Sequence, residues 1–206
     1  MPKILENVQI GFVACRIGMR KCWQWLSCYR PVIIIKDQYQ VLCLGLKGSG
    51  KTTALASLVG EPISNVEPTT GFNIKTLPLK DTVVDIKELG GGEVVRQFWS
   101  KYYEGQHGLL YVIDAAANEE LLKEAVKILH EVVSNSFFKG VPCVILATHQ
   151  DVKGSRTSQE ISQLFSDTLH GRKWQVHMKL NNQENIFFVF RKVTAHGLIR
   201  PLMKTE

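Results

Sequence analysis

Residues 40–58 leave few folds open to this chain. Gln40-Val41-Leu42-Cys43-Leu44 reads as a buried strand, and Thr53-Ala54-Leu55-Ala56-Ser57-Leu58 reads as a helix. Between them lies Gly45-Leu46-Lys47-Gly48-Ser49-Gly50-Lys51-Thr52, which has the form G-x-x-x-x-G-K-[ST]. A strand that turns through such a loop into a helix is the setting in which the loop cradles phosphate. Glycines let the backbone curl so that successive N–H groups point at phosphate oxygens, and the helix N-terminus adds partial positive charge. Lys51 is expected to reach the β- and γ-phosphates, and the Thr52 hydroxyl to ligate Mg²⁺. Thr53, the next residue, joins the expected nucleotide-binding set.

The remainder continues the alternation. Phe72–Leu77 and Thr82–Lys87 flank a short turn and predict a hairpin. Gly90-Gly91-Gly92 interrupts, and Val94–Tyr103 predicts a helix. Leu109–Ile113 and Val141–Leu146 predict buried strands. Glu119–Val133 predicts a helix with Leu121, Leu122, Ala125, Leu129 and Val132 on one side. Ser158–Leu169 predicts a helix with Ile161, Leu164 and Phe165 inward, and Trp174–Leu180 a weak strand. The expected fold class is α/β, with a mainly parallel six-stranded sheet and helices on both faces.

Charge divides the chain further. Residues 1–30 carry five basic residues against one acidic (+4), residues 172–206 seven against two (+5), and the middle is −3. Nucleic-acid binding, which spreads basic charge over the main domain, is not expected. An anionic membrane surface is the better partner. Ile4, Val8, Phe12, Cys15, Met19, Cys22 and Leu26 share one face of an expected amphipathic helix, with Trp23 and Trp25 near its end. Cys15, Cys22 and Cys28 are lipidation (palmitoylation) candidates or small buried apolar residues. Pro2 removes the N-myristoylation signal. Five cysteines without framework spacing imply a reducing compartment, and no apolar run is long enough to span a membrane.

Three later stretches narrow the phosphate loop to one family. Pro68-Thr69-Thr70-Gly71-Phe72-Asn73 resembles the first switch of Arf-family small GTPases. Glu88-Leu89-Gly90-Gly91 resembles their second switch, followed by Arg96, Trp99, Tyr102 and Tyr103 at the family's spacing. Ala147-Thr148-His149-Gln150-Asp151 resembles their guanine-recognition motif. The resemblance covers roughly residues 36–178. It implies a P-loop NTPase G domain over 36–180, preceded by the amphipathic, basic, Cys-bearing segment 1–31 and followed by a divergent tail, 181–206. It implies GTP/GDP and Mg²⁺ as ligands. Thr69 and Gly91 would contact the γ-phosphate side, Thr69 also the metal, and Asp151 the guanine edge. It further implies effector proteins at the switch regions, an exchange factor and an activating protein. The expected place is cytoplasmic, peripheral on Golgi, endosomal or plasma membrane.

The departures are specific. The family's Mg²⁺-linked aspartate is Glu88, one methylene longer, so its water-mediated metal contact must be re-spaced. The glutamine that orients the attacking water is Gly92. The guanine motif has Thr148 for asparagine and His149 for lysine. The closing Ser/Cys-Ala motif is expected near Met178 or Lys179 and is not there, and the family's C-terminal helix is apparently missing. Two functions fit: a membrane-associated switch with slow GTP hydrolysis, or a nucleotide-bound interaction scaffold that never cycles. A P-loop small-molecule kinase leaves the first-switch and Asp151 matches unexplained.

Overall fold

The computed structural model describes residues 37–63, 69–78 and 82–178. The expected N-terminal helix with Cys15, Cys22 and Cys28, and the expected divergent tail, lie outside the described residues. In chain order the elements are β1 (Asp37–Leu44), α1 (Lys51–Val59), β2 (Phe72–Pro78), β3 (Thr82–Leu89), a one-turn α2 (Glu93–Arg96) and a 3-10 turn (Trp99–Tyr102). Then follow β4 (Gly108–Asp114), α3 (Glu119–Ser134), β5 (Cys143–Thr148), α4 (Ser158–Ser166) and β6 (Trp174–His177).

The strands form one sheet in the order β2-β3-β1-β4-β5-β6. All pairings are parallel except β2 with β3, where Phe72 faces Leu89. The alternation along each strand sends side chains to two cores. Leu42, Leu44, Leu109, Tyr111 and Ile113 pack with Leu129 and Phe165 on one face. Val41, Cys43, Leu110 and Val112 pack with Leu55 and Leu58 of α1 on the other. A parallel sheet buried on both faces needs such continuous apolar strands. Tyr111 is fully buried, yet its hydroxyl donates to Ala125 O at 2.8 Å, so α3 is fixed to β4 by a polar contact inside the core.

Some elements differ from expectation. The helix expected over Val94–Tyr103 is broken into α2 and the 3-10 turn. Phe98 N bonds Val95 O at 3.0 Å, a three-residue spacing that tightens the chain. The tighter turn swings Trp99 inward, where its indole donates to Gly90 O at 3.0 Å, and leaves Val94 and Phe98 exposed. Leu121, expected on the inner side of α3, is 46% exposed. Asn118 caps the helix through its side chain to Leu121 N, and the first buried position is Leu122. α4 ends at Ser166 and continues as turns to a buried Leu169. β6 spans Trp174–His177, and the strand expected to Leu180 gives way to a bend at Met178.

Parallel strands bring β1, β3, β4 and β5 to a common C-terminal edge. Leu44, Leu89, Asp114 and Thr148 therefore open onto the same side of the sheet, the usual place for a ligand in an open α/β fold.

Candidate functional site

The loop from Gly45 to Gly50 curls around the Lys51 ammonium. Lys51 Nζ donates to Gly45 O at 3.0 Å and Leu46 O at 2.8 Å. The side chain is buried at the start of α1, and that burial pulls its pKa below the usual lysine value; the nearby Cys43 and Glu88 oppose the shift. A cation held by carbonyls at the floor of a glycine loop is arranged to receive anionic oxygens.

Beside it, three side chains from separate elements converge. The Thr52 hydroxyl, on α1, donates to Glu88 Oε1 at 2.5 Å and lies 3.1 Å from Thr69 Oγ1. Thr69 donates to the same oxygen at 3.3 Å. Glu88, at the end of β3, is fully buried, and its second oxygen, Oε2, has no hydrogen-bond partner among the described residues. A buried carboxylate oxygen without a partner costs a few kcal/mol. Two hydroxyls and a carboxylate are the hard oxygen donors that Mg²⁺ takes. Glu88 makes direct contact with Thr52 through Oε1, and Oε2 would be the oxygen free to hold a cation or its water.

The two glycine-bearing switches close on this cluster by backbone contact. A Cβ on Gly90 would stand 2.4 Å from Thr69 O, and one on Gly91 would stand 2.4 Å from Gly45 O and 2.5 Å from Lys47 N. Both positions therefore admit only glycine without displacing main chain. Gly92, by contrast, would carry a Cβ into open space, with φ −71° and ψ 152° that any residue adopts. The resulting cleft, about 550 Å³, is lined by Lys47, Gly48, Gly50, Lys51, Thr52, Thr53, Thr69, Thr70, Glu88, Gly90, Gly91, Gly92, Val94, Val95 and His149.

The motif after β5 lies at the other end of the loop. Thr148 Oγ1 is within hydrogen-bond distance of two backbone carbonyls, Ser49 O and Ile113 O, at 2.9 Å each. Its methyl lies 3.3 Å from where a Cβ on Gly50 would stand. The threonine thus ties the end of β5 to the phosphate loop and to β4. A second cavity, about 390 Å³, is lined by Ala54, Ser57, Thr148, His149, Asp151 and Met178, among others. His149 belongs to both cavities. It has φ +54°, left-handed, which histidine adopts more readily than most residues. Its Nδ1 lies 2.9 Å from Asp114 Oδ1 without the alignment of a hydrogen bond.

Sequence reasoning missed Asp114 and Arg156. Asp114 also accepts from Ala116 N at 2.8 Å, and Arg156 donates to Ala117 O at 2.6 Å, binding the loops after β4 and β5 together. A carboxylate closing the apolar run Leu109–Ile113 at a strand's C-terminal end was the available signal.

The sequence pattern of the ADP-ribosylation factor family matches residues 26–192. The chain belongs to the ADP-ribosylation factor family. It is 39% identical over 155 residues to mouse ADP-ribosylation factor-like protein 15, covering 74% of this chain and 76% of that protein. It is 34% identical over 142 residues to ADP-ribosylation factor-like protein 2 of Dictyostelium discoideum, covering 68% and 77%. Among solved structures, the Arl6 BBS3 small GTPase from Trypanosoma brucei with bound nucleotide analogue GppNp superposes with TM-score 0.66. At 19% identity, covering 78% of this chain and 99% of that one, the likeness shows the shared fold. This Arf-family chain is a small GTPase of the GTP-binding switch class. Members of the family bind GTP and GDP, generally with Mg²⁺, hydrolyse GTP, and work through effectors under exchange factors and activating proteins. Among the described residues no helix is long and apolar enough to cross a membrane.

Proposed function

We propose that this Arf-family protein holds Mg²⁺-GTP in the cleft between the phosphate loop and the two glycine switches, as a membrane-associated switch with slow intrinsic hydrolysis. One observation supports the nucleotide reading: the convergence of Thr52, Thr69 and Glu88, with Glu88 Oε2 unpartnered among the described residues, in the cleft that Lys51 also lines. The cation, when bound, neutralises charge on the β- and γ-phosphate oxygens. Lys51 binds the same oxygens, the glycine loop around it lines the phosphate end, and Thr69 reports the terminal phosphate. Asp151 and Thr148 serve the base end, with His149 at the junction of the two cavities. Slow hydrolysis follows from Gly92, which offers no side chain to hold the attacking water in line. The same feature favours a second reading, a nucleotide-bound scaffold that does not cycle; effector binding that ignores GDP–GTP exchange would select it.

Titration of the full chain with a fluorescent GTP tests the site. Affinity is expected to fall at least about tenfold in EDTA and in Glu88→Ala, which loses the buried carboxylate. ATP is expected not to compete. Equal competition by ATP would remove the guanine assignment, and indifference to both EDTA and Glu88→Ala would remove the Mg²⁺ assignment.

Membrane contact is assigned to residues 1–31. Basic residues near an anionic surface contribute about 1 kcal/mol each. Deleting residues 1–30, with five basic side chains against one acidic, is expected to weaken sedimentation with phosphatidylserine vesicles more than tenfold. Unchanged sedimentation sinks the membrane assignment. Replacing Cys15, Cys22 and Cys28 with serine is expected to lower membrane residence in cells and leave nucleotide affinity unaltered; wild-type residence excludes acylation.

A further inference from the structure

We propose that Lys47 is a second phosphate-directed cation, placed to bind the terminal phosphate and so to set the preference for a nucleoside triphosphate over a diphosphate. The inference rests on the nucleotide reading above and adds a specificity residue to it.

The loop has two distinguishable ends. Its Gly50 end abuts Thr148, the first of the expected base-end residues, whose methyl lies 3.3 Å from a Cβ placed on Gly50. Its Leu46–Lys47 end abuts Gly91, whose Cβ would meet Lys47 N at 2.5 Å. A nucleotide with its base at the Thr148–Asp151 end therefore runs its phosphates toward Gly91, and the last of them lies beside Lys47. Lys51 is held at the floor of the cleft by the carbonyls of Gly45 and Leu46. Lys47 is exposed, lines the same cleft at its rim, and is in none of the ion pairs among the described residues.

On that side of the cleft Gly91 and Gly92 contribute only backbone, and Val94 and Val95 contribute apolar side chains. Among the described residues nothing lies within 4 Å of a would-be Cβ on Gly92, which leaves space there. A flexible ammonium on a four-carbon stem can cross that space to an oxygen of the terminal phosphate, whereas a β-phosphate at the floor is already served by Lys51. A solvated surface lysine would affect both nucleotides alike or neither.

The test compares binding of fluorescent GDP and a fluorescent non-hydrolysable GTP analogue to the full chain with Mg²⁺, by equilibrium titration. Lys47→Ala is expected to weaken the triphosphate analogue about tenfold and GDP less than twofold. Lys47→Arg, which keeps the charge, is expected to retain most of the preference. Raising salt is expected to weaken the triphosphate more steeply in wild type than in Lys47→Ala. Equal losses for the two nucleotides, or no loss for either, overturns the assignment while leaving the site itself intact. A wild-type chain that binds neither nucleotide overturns the nucleotide reading and Lys47 with it.

Discussion

Lys51→Ala is expected to abolish measurable nucleotide binding. The ammonium is the main buried cation of the cleft, at the C-terminal edge of β1 where the loop begins its turn. Two charge-assisted contacts to phosphate contribute about 1.5–3 kcal/mol each, so their loss lowers affinity by about 10²–10⁴-fold. The substitution also removes the donor that Gly45 O and Leu46 O share. The loop then loses its internal restraint, and the nucleotide-free protein is expected to melt a few degrees lower. Fluorescent-GTP titration and a thermal scan without nucleotide separate the two effects. Binding at wild-type affinity would show that the phosphates lie elsewhere. A large fall in melting temperature with binding intact would make Lys51 a structural residue only.

Much of this architecture is legible in the chain because it is local. Gly45 to Thr52 declares both a turn and a ligand, and the strand before it and the helix after it confirm the turn within twenty residues. The alternation of Phe72–Leu77 with Thr82–Lys87 announces the hairpin, since a period of two has one reading when a short turn divides it. The apolar runs at Leu109–Ile113 and Val141–Leu146 announce strands buried on both sides. What escaped is set by distance in sequence. Asp114 and His149 meet only because β4 and β5 pair in parallel with Asp114 opposite Thr148, and no local pattern encodes that register. The break between α2 and the 3-10 turn is likewise non-local: the Trp99 indole is claimed by Gly90 O, and the helix expected from Val94 onward yields to that bond. Spacing places Leu121 inward, but it lies at the edge of the stripe formed by Leu122, Ala125, Leu129 and Val132, and it is 46% exposed. Glu88 is the instructive case. The sequence shows only that a glutamate stands where the family has aspartate; that its Oε1 bonds two threonine hydroxyls, with Oε2 unpartnered among the described residues, depends on contacts 19 and 36 residues apart that no local pattern encodes.

Gly92→Gln is expected to convert a protein that loads GTP and keeps it into one that turns GTP over. The position favours the experiment. Gly92 has extended backbone with φ −71°, and its Cβ would meet nothing within 4 Å, so glutamine enters without strain. It sits one residue from Gly91, which packs on the phosphate loop, so an amide there can reach a water in line with the terminal phosphate. Restoring one orienting group is worth roughly 10–100-fold in single-turnover hydrolysis of preloaded GTP. Affinity for GTP should stay within about twofold, because Lys51, Thr52 and Thr69 are untouched. Glu93 does not fill the role in the native chain: its side chain is 89% exposed and 3.8 Å from Arg96, and a carboxylate beside the phosphate would be repelled. Glu93→Ala is therefore expected to leave the slow rate unchanged. If the native chain hydrolyses GTP as fast as Gly92→Gln, and Glu93→Ala has no effect, the water is held by another part of the cleft. A variant that loads GTP normally but gains no rate would point instead to a group supplied by an activating protein, which in related chemistry raises rates about 10³–10⁵-fold.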